Sequence, residues 1–334
     1  MDQKMLLAST LALALGAILQ AQTTAPKPPF TAKDVELGKQ LIATSAEIRA
    51  QIKDGRAPAE PFKIMGNLYF VGIGNGESYL LTSPQGHILF GAGYPETVDQ
   101  VQKNIEAMGF KMTDIKAILL NHNHVDQSGG AAELKKRTGA QIMAGFAEIP
   151  FIEHGQHNGS PIPNFPPPLP GQKGGGGAGG PTYPLAKVDR ALFDGDVIKV
   201  GPLTVTAYLA PGHSPSSTSW LYTVRDGGRD YRVFEFCCWE YPDDISRNPY
   251  ITEASVRHNL ELFRKVLPVD IYLEVGAYGW SGTLNQPSGT ITERIAKLKA
   301  ENKLFANPQI FRALSAAHEA EFEDKLAKLK GSKE

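Results

Sequence analysis

His122 and His124 stand at alternate positions in Asn121-His122-Asn123-His124-Val125-Asp126-Gln127-Ser128-Gly129-Gly130, and Asp126 follows two residues later. In an extended segment alternate side chains point the same way, so two imidazoles can face one point and a carboxylate can follow them. Imidazole, imidazole and carboxylate together form a donor set suited to zinc. Another imidazole, His213, lies far along the chain in Leu209-Ala210-Pro211-Gly212-His213-Ser214-Pro215. Gly212 lets the backbone turn tightly just before it. Three imidazoles from two loops would leave one corner of a tetrahedral zinc open, as catalytic rather than structural sites do. Water bound at that corner has its pKa lowered to about 7, which yields hydroxide at neutral pH.

Both loops begin where an apolar run ends. Residues 115–120 read as a buried strand ahead of His122, and residues 203–209 play the same part ahead of His213. A helix over 131–138, stopped by Gly139, follows the first loop. Short strands are predicted at 68–72, 78–82 and 87–90, the last two joined by the turn Ser83-Pro84-Gln85-Gly86. A helix with Val98, Val101, Ile105 and Met108 on one face precedes the central strand, and a strand at 141–144 follows. The second half repeats the theme with strands at 197–200, 203–209, 219–224, 231–236 and 270–273. Helices carry Val256, Leu260, Phe263 and Leu267, then a Thr290–Glu293 cap, then Phe311, Leu314, Phe322 and Leu326. Two strand-rich halves, each followed by helices, predict an α/β fold of two sheets face to face with helices outside.

The 334 residues are 42% hydrophobic and 21% charged with a net charge of −1, an ordinary globular composition. That balance gives no electrostatic case for nucleic acid or an anionic membrane as partner. Lys4 precedes an apolar run over 5–19 that ends in Gln20-Ala21-Gln22. Such a run is short for a bilayer span and has the form of a signal peptide, placed at 1–21. A periplasmic or secreted protein is expected, off the membrane after cleavage. Residues 22–61 read as a lead-in followed by a helix capped by Thr31 and Asp34, and the main domain as 62–334. Within it, 158–184 is rich in Pro and Gly and reads as a surface loop. Cys237 and Cys238 are the only cysteines and are adjacent, so they staple no long loop; they are free thiols on a strand or site residues.

The motifs carry a resemblance. HNHVDQ is similar to the H-x-H-x-D-H signature of the metallo-β-lactamase superfamily, and APGHSPSSTSW to its second histidine motif. The likeness runs from about Phe62 to the final helix and looks closest to subclass B3. It implies an αββα sandwich with the metal site at one edge and His122, His124 and His213 as ligands of a first zinc. Asp126 would begin a second zinc site and direct a proton. The resemblance breaks at Gln127, where the family has His, near Gly276, where a last His ligand is usual, and at Gly91-Ala92-Gly93, where a bracing Asp is usual. Cys238 is the candidate substitute ligand for a second metal. Gln127, Ser216, Glu240 and Tyr94 are the candidate substrate contacts, with Glu240 expected to repel an anionic lactam. The implied activity is zinc-dependent hydrolysis of a small-molecule substrate, a β-lactam amide first. The alternatives are hydrolysis of another ester, lactone or amide, and a non-catalytic zinc- or ligand-binding envelope protein. His87, His258 and His318 read as packing or surface residues, while His154 and His157 flank the Pro/Gly-rich loop.

Overall fold

Two sheets make up the centre of the computed structural model, which describes residues 30–74, 78–154, 183–239, 250–275, 278 and 280–331. The first sheet runs in order β1 (Phe62–Met65), β2 (Leu68–Phe70), β3 (Tyr79–Leu81), β4 (His87–Phe90), β5 (Ile115–Leu120), β6 (Gln141–Gly145) and β7 (Arg190–Leu192). Pairing is antiparallel from β1 to β4 and parallel from β4 to β7. The second sheet comprises β8 (Val197–Val200), β9 (Leu203–Leu209), β10 (Thr218–Asp226), β11 (Arg229–Phe236) and β12 (Ile271–Glu274). It is antiparallel apart from the parallel pair of β11 and β12. The inner faces meet through rings: Phe90 of the first sheet stacks on Tyr222 of the second, with centroids 5.0 Å apart.

Helices cover the outer faces: α1 (Ala32–Arg49), α2 (Val98–Ala107), α3 (Val125–Ser128), α4 (Ala131–Thr138), α5 (Ile149–His154), α6 (Glu253–Val266), α7 (Ser281–Leu284), α8 (Ile291–Ala300) and α9 (Pro308–Gly331). Strand β5 is apolar on both faces because it is buried on both; only Lys116 is exposed within it. Val98, Val101 and Ile105 of α2 and Leu134 of α4 pack on Leu89, Ile118 and Ile142. Each such side chain contributes about 1.5–3 kcal/mol on burial. This packing holds the parallel strands in register, so β4, β5 and β6 release their chains at one edge, at Gly91, Asn121 and Phe146.

The predicted strands and long helices are present, and two short strands, β1 and β7, join them. The helix expected after Thr31 is α1, with Thr31 and Asp34 forming its capping box. The compact unit begins at Thr31, and α1 packs along α9, where Gly38 lies so close to Ala313 that a side chain would strike its carbonyl. Asp34 pairs with Arg312 at 3.0 Å across this contact. Residues 31–61 thus belong to the same compact unit as residues 62–334. Residues 1–21, residues 22–29, Glu240, and 158–184 up to residue 182 lie outside the described residues. Among the described residues, no helix is long and apolar enough to cross a membrane.

Candidate metal centre

Strand β5 ends at Leu120, and the next residue pins its end to the opposite sheet. The Thr218 amide donates to the Asn121 carbonyl at 2.7 Å, and Asn121 Nδ2 donates to the Thr218 carbonyl at 3.1 Å. His122 and His124 follow, and His213 arrives from the loop between β9 and β10. The ring centroids lie 4.6 Å (His122–His124), 4.5 Å (His122–His213) and 4.5 Å (His124–His213) apart, close to edge-on. Nε2 of His213 is 3.2 Å from Nε2 of His122, and one ring nitrogen from each of the three lies within 4.8 Å of the others. Nitrogen lone pairs brought to a common point repel one another unless a proton or a cation lies between them. The donor set thus fits a divalent ion with three nitrogen ligands. Asp126 adds its Oδ1 3.9 Å from His122 Nε2, with a quarter of its side chain exposed.

Asp126 reaches this point by a different route from the one expected. The segment after His124 is helical rather than extended, and Asp126 lies in the first turn of α3. The alternation that aligns His122 with His124 stops there, and helical winding carries the carboxylate back toward His122. The same winding turns Gln127 inward. It is fully buried, and neither its amide oxygen nor its nitrogen has a hydrogen-bond partner among the described residues.

Glu148, three residues past β6, joins the two histidine loops and was not singled out by the sequence. Its Oε2 accepts from the Asn123 amide at 3.0 Å and from the Asn123 side chain. Its Oε1 accepts from the Ser214 hydroxyl at 2.6 Å and the Ser216 amide at 2.7 Å. Asn123 sits between His122 and His124, and Ser214 follows His213, so one carboxylate fixes the backbones that carry all three imidazoles. Burial raises its pKa while these donors pull it down. The Tyr183 hydroxyl closes the arrangement by donating to the Asn123 carbonyl at 2.6 Å, and burial raises its own pKa. Gly91-Ala92-Gly93, which lacks the expected carboxylate, braces the first loop through its backbone instead. The Ala92 amide donates to the Gln127 carbonyl at 2.8 Å and the Gly130 amide to the Gly93 carbonyl at 2.9 Å. A Cβ on Gly130 would strike the Ala92 carbonyl, which is why glycine stands there. The signal for Glu148 was available in part: it leaves the same sheet edge as the histidine loop.

The other expected site residues have these surroundings. Ser216 is buried at 1% exposure; its hydroxyl accepts from the Ala147 amide at 3.1 Å, which ties it to the segment that carries Glu148. Cys238 is bonded to Cys237 in a disulfide and therefore offers no thiolate beside Asp126. The sulfur that faces the histidine loop is that of Cys237, 3.2 Å from His122 Nδ1. The Tyr94 ring lies under the Arg56 guanidinium, 4.4 Å from centroid to carbon. Near the expected final ligand, Gly276 is outside the described residues; just before it, β12 ends in Glu274, a buried carboxylate paired with Arg49 of α1. His87 and His318 are packing residues and His258 is a surface one: His87 meets the Phe110 ring edge-on, His318 stacks on Trp239, and His258 bonds the Leu209 carbonyl. His154 is exposed at the end of α5, and His157 lies outside the described residues. A groove of about 550 Å³ lined by Pro84, Gly86, His87, Lys111 and Lys116 opens at the far ends of the strands, away from the imidazoles.

Residues 71–226 match the family described as the Metallo-beta-lactamase superfamily. The subclass B3 metallo-beta-lactamase BJP-1 of Bradyrhizobium japonicum is 31% identical over 84% of this chain and 99% of its own, with a TM-score of 0.65. The chain belongs to the metallo-beta-lactamase superfamily. Its two mixed sheets with outer helices are that superfamily's αββα arrangement, and the chain is a hydrolase-superfamily member by sequence and fold together. SMB-1, another metallo-beta-lactamase, is 31% identical over 83% of this chain and 99% of its own, with a TM-score of 0.65. A Cronobacter sakazakii metallo-beta-lactamase described by a HARLDQ motif is 27% identical over 93% of this chain and 98% of its own, with a TM-score of 0.65. Its motif ends in Asp-Gln, as this superfamily member's HNHVDQ does. Curated relatives by sequence have a different name: a hydroxyacylglutathione hydrolase of Bradyrhizobium sp. (strain ORS 278) is 26% identical over 46% of this chain. The chain spans about half the length of these relatives, 46% for the one named.

Proposed function

We propose that this protein is a zinc hydrolase of small molecules, with β-lactam amides as the first substrate class to test. The convergence of His122, His124 and His213 on one point carries the reading. Likeness to subclass B3 enzymes along nearly their whole length supports the choice of substrate. The ring nitrogens of His122, His124 and His213 would hold the ion. When bound there, zinc supplies Lewis acidity toward a carbonyl oxygen and lowers the pKa of water. Asp126 would orient the attacking water and accept its proton on the exposed side of its carboxylate, a role its position 3.9 Å from His122 Nε2 supports. Glu148 keeps the two loops at a fixed separation, which such geometry requires. Export through residues 1–21 belongs to the same proposal, and N-terminal sequencing of the mature protein tests it.

A second reading, thioester hydrolysis, is favoured by the hydroxyacylglutathione hydrolases among the sequence relatives. One experiment separates the two. Zinc content is measured on the purified protein alongside turnover of nitrocefin and of a glutathione thioester, with and without a chelator, for the natural chain and for His122→Ala. The expected result is bound zinc and nitrocefin turnover, both lost in the variant and the latter lost with chelator. Thioester turnover without nitrocefin turnover would replace the substrate class. Absence of zinc with no turnover of either substrate would remove the hydrolase reading in favour of a binding protein.

A further inference from the structure

His122 has donor atoms on both sides of its ring. Nε2 faces His213 and His124, while Nδ1 lies 3.2 Å from Cys237 Sγ. His122, Cys237 and Cys238 also place one ligand atom each within 4.8 Å of one another, a grouping separate from the three imidazoles and sharing only His122. In this structure the two sulfurs are bonded to each other. A disulfide sulfur is neutral and a poor ligand, whereas a pair of thiolates is a strong set for soft and borderline cations. Cys237 is fully buried and its amide donates to Ser219 Oγ at 3.2 Å, so its position is held by β10. Cys238 is part-buried whereas Cys237 is fully buried, so attack by an external thiol is assigned to Cys238.

We propose that His122, Cys237 and Cys238 form a redox-gated metal site, closed as the disulfide and opened by an external dithiol to a thiolate-binding divalent cation. The proposal rests on His122 being oriented by its neighbours, and it goes beyond the three-imidazole site by using the opposite ring nitrogen. In the opening step a reductant thiolate attacks Cys238 Sγ and the Cys237–Cys238 bond breaks. Cys237 leaves with the electron pair, and a mixed disulfide forms at Cys238. The second thiol of the reductant then displaces Cys238. In all, two electrons and two protons pass to the protein and the reductant becomes a cyclic disulfide. With the disulfide closed, Nδ1 faces a neutral sulfur and Nε2 faces the imidazole site. With it open, two thiolates and Nδ1 can hold a cation once the ring proton sits on Nε2, so this site and the imidazole site compete for His122.

The test uses the full chain, purified under air and divided in two, one half reduced with dithiothreitol and desalted without oxygen. Free thiols are counted, and each half is titrated with cobalt(II) while near-ultraviolet sulfur-to-cobalt charge transfer is followed. The expected result is no free thiol and no charge-transfer band before reduction, then two thiols and a new band after it. The band should be lost in Cys237→Ser and in Cys238→Ser, and retained in His213→Ala, which disables only the imidazole site. Circular dichroism confirms that each variant folds; if one serine variant does not, the other decides. Two thiols without a band would overturn the metal site, and thiols already free under air, or none released by dithiothreitol, would overturn the gate. Loss of cobalt binding in oxidised His213→Ala, with the band intact in the reduced protein, separates a failure of the hydrolase reading from a failure of this one.

Discussion

Glu148 and Glu235 are fully buried carboxyls that reach Asn123 and Asn121, the residues on either side of His122. Glu148 is held by donors from both histidine loops, two of them backbone amides. Glu235 receives one bond, from Asn121 Nδ2 at 3.2 Å, and its Oε2 has no hydrogen-bond partner among the described residues. The Tyr222 hydroxyl and the Trp220 indole nitrogen, also buried, have none either. Burial pushes the Glu235 carboxyl up to about 8, with only the Asn121 bond pulling it back. The difference shows two uses of the same side chain. Burial raises both carboxyls; the one that collects donors also fixes geometry, while the other has a single bond to oppose the rise.

The largest effect should come from breaking the first of these. Glu148→Ala leaves the Asn123 and Ser216 amides and the Ser214 hydroxyl without their acceptor and opens a cavity, at a cost on the order of 3–5 kcal/mol in urea unfolding. Zinc content should fall with it, because the loops lose their common anchor. Glu148→Gln keeps an acceptor for part of the set and should lose less, about 1–3 kcal/mol.

Glu235 sharpens the contrast through pH. The folded protein keeps this proton until pH about 8, whereas an ordinary carboxyl with a model value of 4.5 releases it far sooner in the unfolded chain. The contribution is therefore fully present below about pH 4.5 and is lost as pH rises toward 8. Glu235→Gln stays neutral throughout. It should match the natural chain near pH 5 and exceed it by a few kcal/mol at pH 8, about 1.4 kcal/mol for each unit separating the two pKa values. Unfolding at pH 5, 6.5 and 8 measures this, and parallel pH curves for the two proteins would show that Glu235 does not titrate late. The smallest effect is expected for Ser216→Ala, which removes one acceptor from the Ala147 amide: about 1 kcal/mol in urea unfolding with zinc content unchanged.

Much of the fold was legible because its signals are local. The apolar run before Asn121 and the alternation through β9 mark strands whichever way they pair. The rows Val98-Val101-Ile105 and Val256-Leu260-Phe263 mark helices by spacing alone. Histidines at strand ends pointed to a metal centre for the same reason. The short strands β1 and β7 were missed because three or four residues carry too little periodicity. Helix α3 was missed because His122 and His124 do alternate, and the change of winding at Val125 leaves no mark in composition. Ser216 was assigned to substrate because its motif lies beside His213; its hydroxyl turns away, toward Ala147 and Glu148. The expectation of free thiols or site residues made Cys238 a metal candidate, and the two sulfurs are instead joined.

The order of residues by itself determined the strands, the covering helices, the loops that follow the strands, and which side chains in those loops can bind a cation. Packing decided which of them meet. His122 and His213 come together because the end of β5 is sewn to the start of β10 through Asn121 and Thr218, a contact between segments far apart in the chain. Glu148 acquired its role only when β6 ended beside both loops. Such contacts depend on distances through space, which no local pattern of residues encodes.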